Sequence, residues 1–335
     1  MPFRSPRFRV PFLLIFLAVF FLAAWALALE ALRGPAFTDP SARQEMPAGW
    51  EGQPIKYEPE IGRADIALSL DQHLYPLFAE YIEKYAKREK IKVSVGEGTC
   101  GITAGKLVRK SIDIGGFCCP PGETDRLPGL RFHTVGIMPI ALITHPGNTV
   151  EEITLGEARD LFAGKIYRWS ELKDARGRAG PNVKVSAIGR LHCKLRPGHW
   201  RLLLDNEDLF SPNLTEVGTI PDMISLVSRI PGAVGYEVLF MIERYRSKGA
   251  VKVLKLDGVA PDNSSLASGR YPLYRTLNLT TWEGGGLENE KARKLVRHIL
   301  KEAEGLHGRY GFVPASALKR AGWKFNGDEL IGEPR

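Results

Sequence analysis

Cysteine is the residue of this 335-residue chain whose chemistry is hardest to replace, and all four copies stand in short turn segments. Cys100 lies in Gly96-Glu97-Gly98-Thr99-Cys100-Gly101, and Cys118 and Cys119 in Asp113-Ile114-Gly115-Gly116-Phe117-Cys118-Cys119-Pro120-Pro121. Cys193 lies in Gly189-Arg190-Leu191-His192-Cys193-Lys194. Each segment follows a strand-like stretch or an acid-glycine step that ends one. Thiols placed this way serve a metal, redox chemistry or disulfides. No paired C-x-x-C spacing is present, so local spacing leaves all three uses open. Thiolates and imidazoles suit soft or borderline ions such as Zn, Cu(I), iron–sulfur clusters or trivalent arsenic, whereas hydroxyls and carboxylates suit a hard, hydrated oxyanion.

Compartment bears on that choice. Arg4, Arg7 and Arg9 precede an uncharged, Leu-, Phe- and Ala-rich run from Val10 to Leu29. A basic flank and an apolar stretch read as a secretory signal, with Ala26-Leu27-Ala28 as a small-residue cleavage site. The run also approaches the roughly 20 residues that span a bilayer, so residues 1–31 fit a signal peptide or an inner-membrane anchor. Either places the remainder outside the cytoplasm, in the periplasm or its equivalent. Residues 32–60, with Pro35, Pro40, Pro47, Pro54 and Pro59, read as a linker. The formal charge is +8, of which Arg4, Arg7, Arg9 and Glu30 carry a net +2. The remaining excess favours anionic ligands or a membrane surface. It is not gathered into the basic, aromatic stripe of a nucleic-acid binder.

The elements that must position these turns alternate between strand and helix. Ala64–Leu70 reads as a strand, with Asp71 capping a helix whose apolar face is Leu74, Leu77, Phe78, Tyr81, Ile82 and Tyr85. Strands are expected at Ile91–Val95, Ile112–Gly115, Val135–Ile143, Val183–Ala187, Ala233–Tyr236 and Val251–Leu256. Helices are expected over Thr103–Lys110, from Thr154 through Phe162, from Gly198 to Leu204, over Pro221–Arg229 and over Glu288–Glu304. This alternation predicts an α/β fold with mostly parallel sheets.

Five segments in order resemble the periplasmic phosphate-binding proteins of ABC importers. Val93 to Gly101 is similar to their strand and glycine loop, and Gly105 through Pro120 to their helix, Asp-hydrophobic-Gly step and small polar loop. Phe162-Ala163-Gly164-Lys165-Ile166-Tyr167-Arg168-Trp169, Pro231-Gly232-Ala233-Val234-Gly235-Tyr236 and Gly269-Arg270-Tyr271-Pro272-Leu273-Tyr274-Arg275 resemble three further family segments. The resemblance covers about Ala64 to Pro314. It implies a two-lobed type II periplasmic-binding-protein fold with a ligand cleft, residues 61–136 and 269–330 in one lobe and 137–268 in the other. It also implies a ligand set of Asp71, His73, Thr99, Cys100, Gly101, Cys118, Cys119, Arg190, His192 and Cys193.

Cys100 stands where the family has a serine, and Cys118 or Cys119 where it has an acidic or small polar residue. Arg190 is kept, but the Ser-Gly-Thr element after it is not. The resemblance brings the four thiols to one cleft, with His192, His199 and His73 near them. The expected function is therefore an exported binding protein whose cleft takes a thiophilic metal ion, metalloid or metal centre through Cys100, Cys118, Cys119, Cys193, His192 and His199. Two alternatives stand beside it: a phosphate or oxyanion binder with structural disulfides, and a thiol redox protein. Adjacent Cys118 and Cys119 pair only in a strained ring, and bridging them to Cys193 would tie the lobes together. No G-x-S-x-G elbow or acid/base pair suggests an enzyme. The implied partners are a small inorganic ligand and an ABC permease or membrane sensor, with the chain itself a monomer and no nucleic acid involved.

Overall fold

The computed structural model describes residues 37–174, 176–190, 203–204, 209–284 and 286–334. The expected signal or anchor at 1–31 lies outside the described residues, as do His192, Cys193, His199 and most of the helix expected from Gly198. Among the described residues no helix is long and apolar enough to cross a membrane.

Strand β1 (Ile66–Asp71) is buried along its whole length and leads into helix α1 (Leu74–Glu89), which packs Leu74, Leu77, Phe78, Ile82 and Tyr85 inward. Those positions repeat every three to four residues, which puts them on one face of a 3.6-residue helix. Strand β2 (Val93–Gly98) is followed at once by helix α2 (Cys100–Val108), and strand β3 (Ile114–Phe117) by a bend. Helix α2 begins three residues earlier than the apolar pattern suggests. Thr99 is the reason: its hydroxyl accepts the Ile102 N–H, at 3.3 Å, and so starts the helix at Cys100.

Strand β4 (Leu130–Thr144) runs through both halves of the sheet. Helix α3 (Leu155–Phe162) carries the Thr154–Glu157 capping box. Strand β5 (Ser186–Gly189), helix α4 (Ile220–Arg229) and strand β6 (Ala233–Val238) follow, and strand β7 (Tyr274–Trp282) returns antiparallel before the amphipathic helix α5 (Glu290–Glu304). The main sheet has the order β2-β1-β3-β7-β4-β6-β5, with the short strand Thr215–Glu216 at its far edge. Strands β1, β2 and β3 are mutually parallel, as are β5 and β6.

The division lies in β4. Its residues 130–139 pair with β7, and its residues 140–144 with β6. Pro139 sits at the change of partner, where a residue without an N–H interrupts no ladder bond that the next pairing needs.

Among its described residues the Pro-rich segment before β1 carries no helix or strand beyond the short turn at Pro59–Ile61, yet it is packed down. Trp50 is buried, and the buried Lys110 ammonium donates to the carbonyls of Trp50, Glu51 and Gln53. Three carbonyls replace the water an ammonium would otherwise lose.

Candidate functional site

The carboxyl ends of the parallel strands from both halves of the sheet converge on one place. Asp71 is the last residue of β1, Thr99 and Cys100 follow β2, and Cys118 and Cys119 follow β3. From the other half, Arg190 follows β5 and Glu237 is the penultimate residue of β6. Arg275, near the start of the antiparallel β7, reaches the same edge. Ligands of open α/β sheets bind at this edge because the loops there are exposed and variable while the strands below are fixed.

Two glycines bring the sulfurs together. A Cβ on Gly115 would lie 2.6 Å from Leu107 Cδ1 and 3.0 Å from Thr103 Cγ2, both on α2; a Cβ on Gly116 would lie 2.6 Å from Leu70 Cδ2. Without side chains at either position, β3 lies close against α2 and β1. The Ser69–Thr103 hydroxyl pair, 3.0 Å apart, fastens α2 to β1 from the other side. Cys100, first residue of α2, thereby meets the end of β3. Its Sγ lies 3.6 Å from Cys118 Sγ and accepts the Cys118 N–H at 3.4 Å.

Successive residues of an extended strand point to opposite faces, which would separate Cys118 from Cys119. The chain has already bent after Phe117, and the two sulfurs are 4.0 Å apart. Asn278 of β7 holds the bend by donating to the Cys119 carbonyl at 3.0 Å. Cys100, Cys118 and Cys119 are buried thiols, and all three sulfurs lie within 4.8 Å of one another. No disulfide joins them, so the expectation of structural disulfides finds no pair among the described residues.

Beside the thiols runs a buried chain of charges. Arg275 Nη1 is 3.6 Å from Cys118 Sγ. Asp71 takes the His73 and Leu74 backbone N–H groups on its two carboxylate oxygens, and its Oδ2 also meets His73 Nδ1 at 2.9 Å. The other ring nitrogen, His73 Nε2, lies 2.9 Å from Glu237 Oε1. Glu237 Oε2 in turn accepts from Arg190 Nη1 at 3.2 Å, and Arg190 Nη2 donates to Gln72. Thus Gln72 and His73, after β1, contact Arg190 and Glu237, from β5 and β6.

The electrostatics follow from that order. Hydrogen bonds from Cys100 and Cys119, aided by the charges of Arg275 and His73, hold the Cys118 thiol well below its ordinary pKa despite burial. Burial and the Arg275 charge oppose the His73 imidazolium, but Glu237, Cys118 and Asp71 outweigh them and raise its pKa well above the usual value. Burial would raise Glu237, yet His73, Arg275 and Arg190 bring it down to about 2. Asp71 is pushed up to about 6, first by burial and then by the Cys118 charge.

Of the residues expected from sequence, Asp71, His73, Cys100, Cys118, Cys119 and Arg190 meet here. Thr99 spends its hydroxyl on the helix cap, and Gly101 is exposed in the first turn of α2. His192, Cys193 and His199 lie outside the described residues. Gln72, Glu237 and Arg275 were not singled out. The signal for the last two is a charge inside a wholly buried strand, Ala-Val-Gly-Tyr-Glu-Val in β6 and Tyr-Arg-Thr-Leu in β7.

No family model matches the chain. Among curated proteins it is 23% identical over 270 residues to the phosphate-binding protein PstS of Bacillus subtilis, spanning 78% of this chain and 84% of that relative. It is 29% identical over 110 residues to phosphate-binding protein PstS 2 of Streptococcus agalactiae, spanning 32% and 35% of the two chains. Among solved structures, an ABC-type phosphate transport receptor from Vibrio cholerae superposes with a TM-score of 0.59 at 19% identity, over 74% of this chain and 99% of the other. A substrate-binding protein from Clostridium perfringens solved with bound phosphate gives a TM-score of 0.64 at 18% identity, over 74% and 98%. The shared architecture is the two-lobed type II periplasmic-binding fold, carried in these two relatives by a phosphate transport receptor and a substrate-binding protein.

Proposed function

We propose that this PstS-like chain is an extracytoplasmic solute-binding protein, not an enzyme, that holds a small inorganic oxyanion of the phosphate kind in its cleft. It would present that solute to an ABC permease or a membrane sensor. The lobes in this proposal are residues 61–136 with 269–330, and 137–268, a division supported by the change of partner along β4 at Pro139. One observation carries the oxyanion reading. Arg190, 2% exposed at the carboxyl end of β5, sits where the two halves meet, and Arg275 is buried at the same edge. The guanidinium is the side-chain group whose paired N–H donors match an oxyanion, and here two guanidiniums are buried at one strand-end edge.

Calorimetry with inorganic phosphate on the reduced protein tests this reading. Saturable binding that weakens by roughly one to two orders of magnitude in Arg190→Ala supports it, and no phosphate heat at millimolar concentration overturns it.

A second reading is favoured by a different observation, the three sulfurs within 4.8 Å of one another. Here the cleft carries a thiophilic ion or metal centre bound through thiolates. The test is elemental analysis with a thiol count on protein prepared without oxygen.

A further inference from the structure

We propose that Cys100, Cys118 and Cys119 form a three-sulfur site for a trivalent metalloid oxyacid, with arsenite as the available probe. This rests on the thiophilic reading and names its ligand class. Two features of the site select that class.

The first is coordination number. Sulfurs about 3.5–4 Å apart bracket an ion bound at thiolate distance, as in zinc–thiolate sites; Cys100–Cys118 at 3.6 Å and Cys118–Cys119 at 4.0 Å fall in that span. A zinc ion would need a fourth ligand from the protein or solvent. The nearest candidates among the described residues are Asp71 and His73, which lie within 4.8 Å of Cys118 Sγ. Both ring nitrogens of His73 are engaged by carboxylates, Nδ1 by Asp71 and Nε2 by Glu237, each at 2.9 Å. An imidazole so clamped offers no lone pair to a metal. Asp71 is tied to the start of α1, Oδ1 by the Leu74 N–H and Oδ2 by His73, and of the three thiols it shares a ligand-sized group with Cys118 alone. The described donor set is therefore three sulfurs, which suits a three-coordinate pyramidal centre whose fourth direction is its own lone pair.

The second feature is the scaffold. The Clostridium perfringens relative was solved with phosphate, an oxygen-bearing solute, and a trivalent oxyacid likewise arrives oxygen-bound before it becomes sulfur-bound. Starting from three thiols, the three bonds from the metalloid to its hydroxyl oxygens break and three bonds to sulfur form. Three protons leave with three hydroxides as three waters, and no electron is transferred. Where Cys118 enters as a thiolate, its missing proton is supplied by solvent.

The experiment titrates the full-length, reduced protein, without oxygen, with arsenite, with zinc and with phosphate in separate arms. We expect one arsenite per chain, loss of three reactive thiols, and X-ray absorption showing three sulfur neighbours and no oxygen. Cys100→Ser, Cys118→Ser and Cys119→Ser should each weaken arsenite binding about 100-fold or more, beyond the ~10–100-fold typical of outer-shell losses. Cys193, outside the described residues, is the control: a Cys193→Ser loss below the ~10–100-fold of an outer-shell change keeps the assignment at three sulfurs. A Cys193→Ser loss as large as the others would mean four sulfurs and would overturn the three-sulfur assignment. If zinc consumes thiols and arsenite does not, the thiophilic reading stands and this proposal fails. If neither does, both fail, while the phosphate arm bears on the oxyanion reading alone. The absorption measurement on the unmutated protein decides the matter should any serine variant not fold.

Discussion

Two buried charge networks among the described residues differ in kind. At the C-terminal edge, Arg126 grips Glu329 with both guanidinium nitrogens, at 2.6 and 3.2 Å, and turns its remaining donors to Thr38. The cation meets an anion, a hydroxyl and a carbonyl, and the result fastens residue 38 and the Glu329–Gly332 strand to the body. At the strand ends, by contrast, Cys118, Arg275, His73, Asp71, Glu237 and Arg190 form a chain of unlike groups whose pKa values are pushed apart. Burial of charge is common to both. Chemical heterogeneity at the carboxyl ends of parallel strands belongs only to the second, and that is the better mark of a site.

The largest effect that would break this contrast lies in the first network. Arg126→Ala leaves Glu329 buried without its cation, so unfolding free energy should fall by about 3–5 kcal/mol. Urea denaturation would measure the fall, and phosphate affinity extrapolated to the folded fraction should be unchanged. Lost affinity would mean that the fastening network also shapes the cleft.

Arg190→Ala comes next, at the strand ends. If the arginine serves ligand rather than fold alone, a charge-assisted bond of about 1.5–3 kcal/mol to the solute is lost. Phosphate binding should weaken by roughly one to two orders of magnitude on that basis. A variant that loses stability but keeps its affinity would reduce Arg190 to the role that Arg126 plays.

The pH response sharpens the comparison further, because only the second network contains a histidine clamped between carboxylates. The folded pKa of His73 is raised, so the His73 contribution is fully present below the unfolded value near 6.5 and is lost as pH rises through the higher folded value. Glu237 is depressed to about 2, so its contribution is present above the usual 4.5 and is lost as pH falls toward 2. Asp71 works against both: with its pKa raised to about 6, folding becomes less favourable as pH climbs from about 4 to 6. Stability should therefore fall on the alkaline side as His73 discharges, and a His73→Gln variant should lack that limb. An unchanged alkaline limb in the variant would show that His73 is not the group responsible.

How much of this was legible beforehand depends on the range of the information. Five ordered segments carried the fold, because each is a local turn with its flanking strand. The loop residues Asp71, Cys100, Cys118 and Arg190 were legible for the same reason. Glu237 and Arg275 were not, since a charge within an apolar strand declares itself only when its partner is known. One partner of Glu237, His73, is 164 residues away. The approach of Cys118 to Cys119 was hidden as well: strand alternation argues against it, and the bend that permits it depends on Asn278 from β7.

The smallest effect concerns how Cys100 is aimed. Thr99 does not touch the sulfurs; its hydroxyl accepts the Ile102 N–H and so sets where α2 begins. Replacing a threonine cap by alanine costs about 0.5–2 kcal/mol, typically ~1. Thr99→Ala should lower stability by that amount and fray the first turn, which is the turn that carries Cys100. The distance from Cys100 Sγ to Cys118 Sγ, 3.6 Å when the cap is intact, would then be less well held. Cys118 owes its depressed pKa first to its hydrogen bond with Cys100, so a loosened Cys100 should let the Cys118 thiol rise toward its ordinary value. The pH dependence of thiol alkylation reports this directly: its midpoint should move upward in Thr99→Ala, and Thr99→Ser should restore it. If stability drops but the alkylation midpoint stays in place, the cap supports the helix without aiming the sulfur, and the geometry of the thiols must be set by Gly115 and Gly116 instead.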